Sequence, residues 1–247
     1  MAKLAFCTSK KIIWNWYAHC NALGVFLWEY KNGQCFYWAC LCSRSWHIYR
    51  LTRTYYFKSK NLKDPTENYD WEYILINDPK TLNAWCMPGG KIAFYTGILE
   101  VTKDENGLAA VMGHEIAHAI ALHGNERMSQ GMAQQLGGVA LSVAVANKSA
   151  ETQNLFMTAY GIGSTVGGTL PFSRKQELEA DQFGLRFAAM AGYNPQEAIP
   201  FWQRMAQASG GQKPPELLST HPSDATRIQK MQTYVKEAMP YYKPLGK

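Results

Sequence analysis

The residues best suited to chemistry are His114, Glu115 and His118, which form an H-E-x-x-H sequence. Two histidines four positions apart project from one face of a helix with about 3.6 residues per turn, so both imidazoles can bind a single zinc ion. Glu115 lies one position on, where its carboxylate can accept a proton from an attacking water molecule. The spacing therefore predicts hydrolysis of a peptide bond.

A helix around this motif is indicated by apolar residues at helical spacing, namely Leu108, Val111, Met112, Ile116 and Ile120. Thr102 and Glu105 match a capping box, with Asp104 as the alternative cap, and Gly124 is a stop signal. On a straight helix His123 lies on the side opposite His114. We therefore expect His123 to be a surface residue, or one that interacts with the dipole at the C-terminal end of the helix.

A third ligand is needed, because catalytic zinc usually takes three protein ligands. Glu177 and Asp181 are four positions apart and share a helical face, whereas Glu179 points away from both. Two acids on one face repel each other unless a cation or a donor compensates, so the pair suggests one ligand and one supporting residue. The alternative is a solvated charged face that also includes Arg174 and Lys175.

These segments together resemble metallopeptidase family 48. The resemblance is carried by H-E-x-x-H, by S-R-x-x-E-x-E-A-D from Ser173 to Asp181, and by the segments 83–92 and 219–222. It implies a zincin-like (gluzincin) catalytic domain that binds one Zn²⁺ per chain, with Glu177 as the third ligand and Asp181 as its support. It also implies that His221 covers the active site or contacts the reacting carbonyl, and that Arg227 supports the site.

The predicted fold class is α+β, mainly helical, with a small antiparallel sheet beside the H-E-x-x-H helix. Two β-branched and aromatic runs, 72–77 and 91–96, are bounded by Asn-Asp-Pro and Pro-Gly-Gly turns. In the family the edge strand of this sheet holds extended substrate by backbone pairing. The resemblance therefore implies that Lys91, Ile92 and Ala93 bind substrate.

Composition places the chain among globular proteins: 47% of its 247 residues are hydrophobic and its net charge is +6. The charge is mild, and there is no polybasic block or nucleic-acid motif, so nucleic-acid binding is not expected. Two runs of small and apolar residues, 137–147 and 155–168, predict two close-packed helices. Neither is an uninterrupted run of about 20 apolar residues, so no transmembrane span is predicted.

Residues 1–68 are atypical, because most of the cysteines and tryptophans of the chain fall there without a helical or strand period. This segment has no readable signal peptide, and its composition leaves open whether it is ordered. We assign residues 69–247 to the zinc metallopeptidase domain. Localisation follows only from the family resemblance, which implies the cell envelope and a membrane-associated role.

Two functions remain open at this stage. The first is a zinc metalloendopeptidase that cleaves unfolded or misassembled proteins in quality control at the cell envelope. The second is a zinc-binding chaperone or adaptor of the same fold with little turnover. Glu115 favours the enzyme, because a binding protein does not need a general base. The sequence does not indicate the oligomeric state or the cleavage preference.

Overall fold

The computed structural model describes residues 4–8, 55–58, 60–64, 66–208 and 225–244. Four strands are present in this part of the chain: β1 (Leu4–Thr8), β2 (Glu72–Ile76), β3 (Ala84–Met87) and β4 (Lys91–Tyr95). Its longer helices are α1 (Thr96–Thr102), α2 (Glu105–Ile120), α3 (His123–Ala144), α4 (Ala150–Ser164), α5 (Leu170–Met190), α6 (Ala198–Gln207) and α7 (Ala225–Ala238). The fold is mainly helical with a small sheet, as predicted.

The sheet is mixed rather than antiparallel, with the strand order β1-β2-β4-β3. β2 and β4 are the two runs found in the sequence, and they pair in parallel. The prediction of an antiparallel sheet was wrong because it missed β3, which lies between them in the sequence and reverses the chain before β4. Gly89 and Gly90 form this hairpin turn with φ values of +92° and +87°, which residues other than glycine rarely adopt.

The sequence predicted that the edge strand at 91–93 binds substrate, but this strand is not at an edge of the sheet. β4 is hydrogen-bonded to β2 on one side and to β3 on the other, so Lys91, Ile92 and Ala93 offer no free backbone edge. β3 is the terminal strand of the sheet and contacts α2, the helix that contains H-E-x-x-H.

Helix α2 lies at the centre of the molecule, and every residue from Gly107 to Ile120 is buried. Its N-cap is Asp104, whose carboxylate accepts a hydrogen bond from the Gly107 amide at 2.9 Å. The core around it includes Tyr56 and Phe57, so part of the segment 1–68 packs with the predicted catalytic domain.

Helices α2 and α5 cross in backbone contact at two glycines. A Cβ atom placed on Gly113 would lie 2.4 Å from the Gly184 carbonyl oxygen, and one on Gly184 would lie 2.7 Å from the His114 nitrogen. No real Cβ can occupy such a position without moving backbone atoms. The crossing therefore requires glycine on both helices, and it places the sequence around His114 directly against the one around Asp181.

Helices α3 and α4 form a hairpin that packs mainly on itself. The Tyr160 hydroxyl donates to the Gln134 carbonyl at 2.8 Å, and the Gln134 amide donates to Ser164 at 2.7 Å. These are the two close-packed helices that the sequence predicts. Within the described residues, we find no helix with the length and apolar character required to cross a membrane.

The glycine crossing predicts opposite effects for two Gly→Ala substitutions. Gly184→Ala should lower the free energy of unfolding by about 1–3 kcal/mol, because the added methyl forces the helices apart. Gly131→Ala should raise it by about 0.5–1 kcal/mol, because this helical glycine has open space around it and alanine favours the helix. Urea denaturation measures both, and a Gly184→Ala variant as stable as wild type would contradict the crossing.

Candidate metal centre

The side chains of His114, His118 and Glu177 meet at one point between α2 and α5. The two Nε2 atoms of the histidines are 3.1 Å apart, and Glu177 oxygens lie 3.3 Å from His114 Nε2 and 3.4 Å from His118 Nε2. All three residues are buried. The residues that the sequence analysis assigned to the metal are thus brought together from two distant parts of the chain.

These distances match the donor set of a zinc site. Ligand atoms about 2.0–2.1 Å from a tetrahedrally coordinated zinc ion stand roughly 3.3–3.4 Å from one another. Charge agrees with geometry, since Glu115, Glu177 and Asp181 are all buried in this cluster, and the ion pairs described for it bring in the guanidinium groups of Arg127 and Arg227. A divalent cation would offset this excess of acidic groups, so the residues present fit the metal.

Asp181 supports His114 from behind. Its Oδ1 atom lies 3.0 Å from His114 Nδ1, the ring nitrogen on the far side from Glu177. Arg227 on α7 donates two hydrogen bonds to the same carboxylate, at 2.6 and 2.8 Å. The Arg227 guanidinium also lies 4.2 Å from the centre of the Trp202 ring and 3.4 Å from a Glu177 oxygen. The structure thus places Asp181 against His114 and Arg227 against Asp181, and the supporting roles expected for both stay predictions.

The electrostatic effects of this cluster are opposed. Burial alone acts to lower the pKa of His114, but contacts with Asp181 and Glu177 outweigh it and raise the pKa to about 9. For Asp181, burial acts to raise the pKa, but the charge and hydrogen bonds of Arg227 together with the contact to His114 outweigh it, and the pKa is lowered. In the metal-free chain, a proton on His114 therefore supplies positive charge at neutral pH.

Glu115 is buried beside the histidines and lines a cleft with a volume of about 310 Å³. His118 and Arg127 also line this cleft, together with Trp85 and Cys86 of β3. Burial, and then the charge of Glu115, raise the pKa of the Cys86 thiol. Because a thiolate is the form that acts as nucleophile and ligand, Cys86 is not placed to compete with the histidines.

Two parts of the site were not expected from the sequence. Arg127 donates to a Glu177 oxygen at 3.0 Å and to Gln176 at 2.8 Å. His123 is buried rather than on the surface, and its Nδ1 atom lies 2.9 Å from His118 Nδ1. The expectation for His123 was wrong because it assumed a straight helix, whereas α2 ends at Ile120 and the chain turns at Leu122 before α3 begins.

The position of His221 lies outside the described residues, as does the whole of the segment 219–222. The role that the family resemblance implies for His221 therefore stays a prediction. Arg227, which follows that segment in the sequence, is described and contacts Asp181.

A buried pair of histidines four positions apart on one helix, a glutamate from a second helix and a further glutamate in the adjoining cleft define a metallopeptidase-type site. The model of peptidase family M48 matches residues 49–235. The chain belongs to this family, and the resemblance predicted from the sequence is confirmed.

Individual relatives agree with this assignment. The mitochondrial metalloendopeptidase OMA1 of Schizosaccharomyces pombe is 40% identical over 169 residues, which cover 68% of this chain and 48% of that protein. The OMA1 of Saccharomyces cerevisiae is 32% identical, covering 73% of this chain and 53% of that protein. A putative beta-barrel assembly-enhancing protease of Vibrio cholerae is 31% identical, covering 70% and 35%. The chain spans about half the length, or less, of these curated relatives.

The raised pKa of His114 predicts that metal binding releases a proton. In the metal-free chain, this shift stabilises the fold fully below pH 6.5, the ordinary pKa, and the stabilisation is lost as the pH rises through about 9. A metal on Nε2 requires the neutral ring, so zinc affinity should rise about tenfold per pH unit up to pH 9 and then level off. Calorimetry in buffers of different ionisation enthalpy measures the released proton. An affinity that stays constant between these pH values would contradict the assignment.

Proposed function

We propose that this chain is the catalytic part of a gluzincin-type zinc metalloendopeptidase that binds one Zn²⁺ through His114, His118 and Glu177. The observation that carries the proposal is the set of distances of 3.1–3.4 Å among the three donor groups, with Glu115 in the adjoining cleft. Bound zinc supplies a Lewis acid that lowers the pKa of a water molecule to about 7 and polarises a carbonyl. The membership of family M48 and the names of the relatives support this activity.

The remaining steps of the reaction are assigned to side chains of the protein. Glu115 accepts the proton of the attacking water and passes it to the departing amine, so it acts as general base and then as general acid. Arg127 lines the same cleft, and its side chain is 38% exposed and can contact a substrate. The same proposal places His221 over the site, where it either covers the metal or contacts the reacting carbonyl. Faster cleavage by His221→Ala would favour the first role, and a large loss of rate the second.

β3 replaces β4 as the proposed substrate-pairing strand. The Tyr95 amide donates to the Asn83 carbonyl at 3.1 Å, which makes Asn83 and Tyr95 a hydrogen-bonded pair. Opposed residues in an antiparallel ladder alternate between bonded and non-bonded pairs. Ala84 and Cys86 therefore direct their backbone groups away from β4, on the side where an extended peptide could add as a further strand.

The proposed substrate is unfolded or misassembled protein at a membrane or cell-envelope surface. The names of two relatives support this proposal, since one places OMA1 in mitochondria and the other links the bacterial protease to beta-barrel assembly. The α3–α4 hairpin agrees with it, because Leu136, Val143 and Leu155 are exposed and Lys148 and Glu151 are the only charged residues from Met128 to Ser173. Large exposed apolar surfaces mark contacts with membranes or other proteins.

A zinc-binding chaperone or adaptor is the alternative, and Glu115 separates the two. Glu115→Gln should keep one zinc per chain and lower the rate of casein cleavage by at least about 10²–10⁴-fold, because an amide cannot accept the proton. Glu100→Gln, at an exposed position on α1, is the matched control and should cleave as wild type does. Equal cleavage by wild type and Glu115→Gln would contradict the catalytic role.

The β3 edge is tested by a pair of substitutions at Cys86. Cys86→Pro removes the outward N–H while leaving the bonded pairs of the ladder intact, and proline is tolerated at such edge positions. It should lower kcat/KM for long unfolded substrates more than for short peptides. Cys86→Ala keeps the N–H and should stay close to wild type. Equal kinetics for both variants on long substrates would exclude β3 as the pairing edge.

A further inference from the structure

The outer ring nitrogen of His118 faces a second histidine. His118 Nδ1 lies 2.9 Å from His123 Nδ1, and His123 Nε2 lies 3.4 Å from an oxygen of Glu179. We propose that His123 and Glu179 are positioning residues, which fix the orientation and the tautomer of His118 for metal binding. The inference rests on the proposed zinc site and adds two residues to it.

The hydrogen-bond inventory allows one consistent arrangement of protons. His118 Nε2 faces His114 and Glu177, so that nitrogen must be free of a proton to bind a metal. The proton of the neutral ring is then on Nδ1, and it is donated to His123 Nδ1. His123 consequently carries its own proton on Nε2 and donates it to Glu179. The chain of donors ends on a carboxylate, as it commonly does behind metal-bound histidines.

The backbone is bent to make this contact. Leu122 adopts the left-handed conformation, with φ of 60° and ψ of 27°, which costs free energy for a leucine. Without this turn, His123 would continue α2 and lie on the side opposite His114. With it, the new helix starts at His123 and its ring returns to His118. Strained backbone of this kind persists where the surrounding structure holds it, and it is concentrated at functional sites.

Glu179 is held in place from its other side. The Lys60 ammonium donates to Glu179 at 2.7 Å and the Tyr56 hydroxyl donates to it at 3.1 Å. The Tyr56 ring packs edge-on against Phe183, one turn further along α5. The carboxylate that ends the chain of donors is therefore held on α5 and bound to the segment that precedes β2.

The two candidate zinc histidines are thus supported in parallel ways. Asp181 contacts His114 directly at 3.0 Å, whereas Glu179 reaches His118 through His123. Neither nitrogen of His123 is placed as a metal ligand, since one faces His118 Nδ1 and the other faces Glu179. A positioning role is what this geometry leaves for a buried histidine in contact with a ligand.

The test compares zinc affinity in three variants, measured by competition with a chelator of known affinity. His123→Leu removes the acceptor but keeps most of the volume, and should weaken zinc binding about 10–100-fold. His123→Asn should recover most of the affinity, because its amide oxygen can stand near the position of Nδ1 and accept from His118. Glu179→Gln should lie between wild type and His123→Leu. Ile98→Ala, a buried change on α1, controls for general destabilisation and should leave zinc affinity unchanged.

The recovery by asparagine is the result that a purely structural role would not give. A folded His123→Leu variant that binds zinc within about threefold of wild type, well inside the 10–100-fold range of supporting residues, would overturn the inference. Equal weakening by Leu and Asn would also overturn it. Where His123→Leu fails to fold, the zinc affinities of the other two variants decide. Both should be weaker than that of wild type, with His123→Asn keeping most of it, and two affinities equal to wild type would overturn the inference. A wild-type chain that binds zinc but does not cleave casein would refute the proposed activity alone, since the affinities still report on His123.

Discussion

The close contact between α2 and α5 at Gly113 and Gly184 is the constraint on which the site depends. His114 directly follows Gly113, and Gly184 lies within two helical turns of Glu177 on α5. The donor atoms can approach to 3.1–3.4 Å because the two backbones touch at this crossing. Any side chain there would separate the two histidines from the glutamate, since helices packed through ordinary side chains lie about 8–10 Å apart.

The second constraint is electrostatic. Burying several carboxyl groups close together is unfavourable unless positive charge compensates them. Arg227 and Arg127 supply part of that charge, from α7 and from the start of α3. The remaining positive charge can come from a proton on His114 or from a divalent cation. The proton and the cation compete for the same histidine. The arrangement that makes the site acidic enough to bind a metal therefore also makes binding dependent on pH.

Local sequence patterns predicted the parts of the site that lie on regular helices. The four-residue spacing was sufficient to place His114 with His118, and Glu177 with Asp181, on common helical faces. The spacing gave the wrong position for His123, because the chain makes a left-handed turn at Leu122. Leucine is not a residue type that marks such a turn, so the local pattern does not show it. For the same reason the positions of Glu179 and Arg127 relative to the ligands could not be read from the sequence.

The sheet shows the same limit at a larger scale. The strands around Ile74 and Phe94 were recognised from their composition, but Ala84–Met87 is short and contains no β-branched residue. Missing this strand reversed the expected direction of pairing and moved the expected substrate edge from β3 to β4. Pairing partners are set by long-range contacts, so composition can locate strands without giving their order in the sheet.

The most direct test of the central claim is a crystal structure of the zinc-loaded chain with anomalous scattering measured at the zinc edge. The account predicts one strong peak, bound by Nε2 of His114, Nε2 of His118 and a carboxylate oxygen of Glu177. A zinc ion bound elsewhere, or a peak at the two histidines with Glu177 turned away from it, would contradict the account.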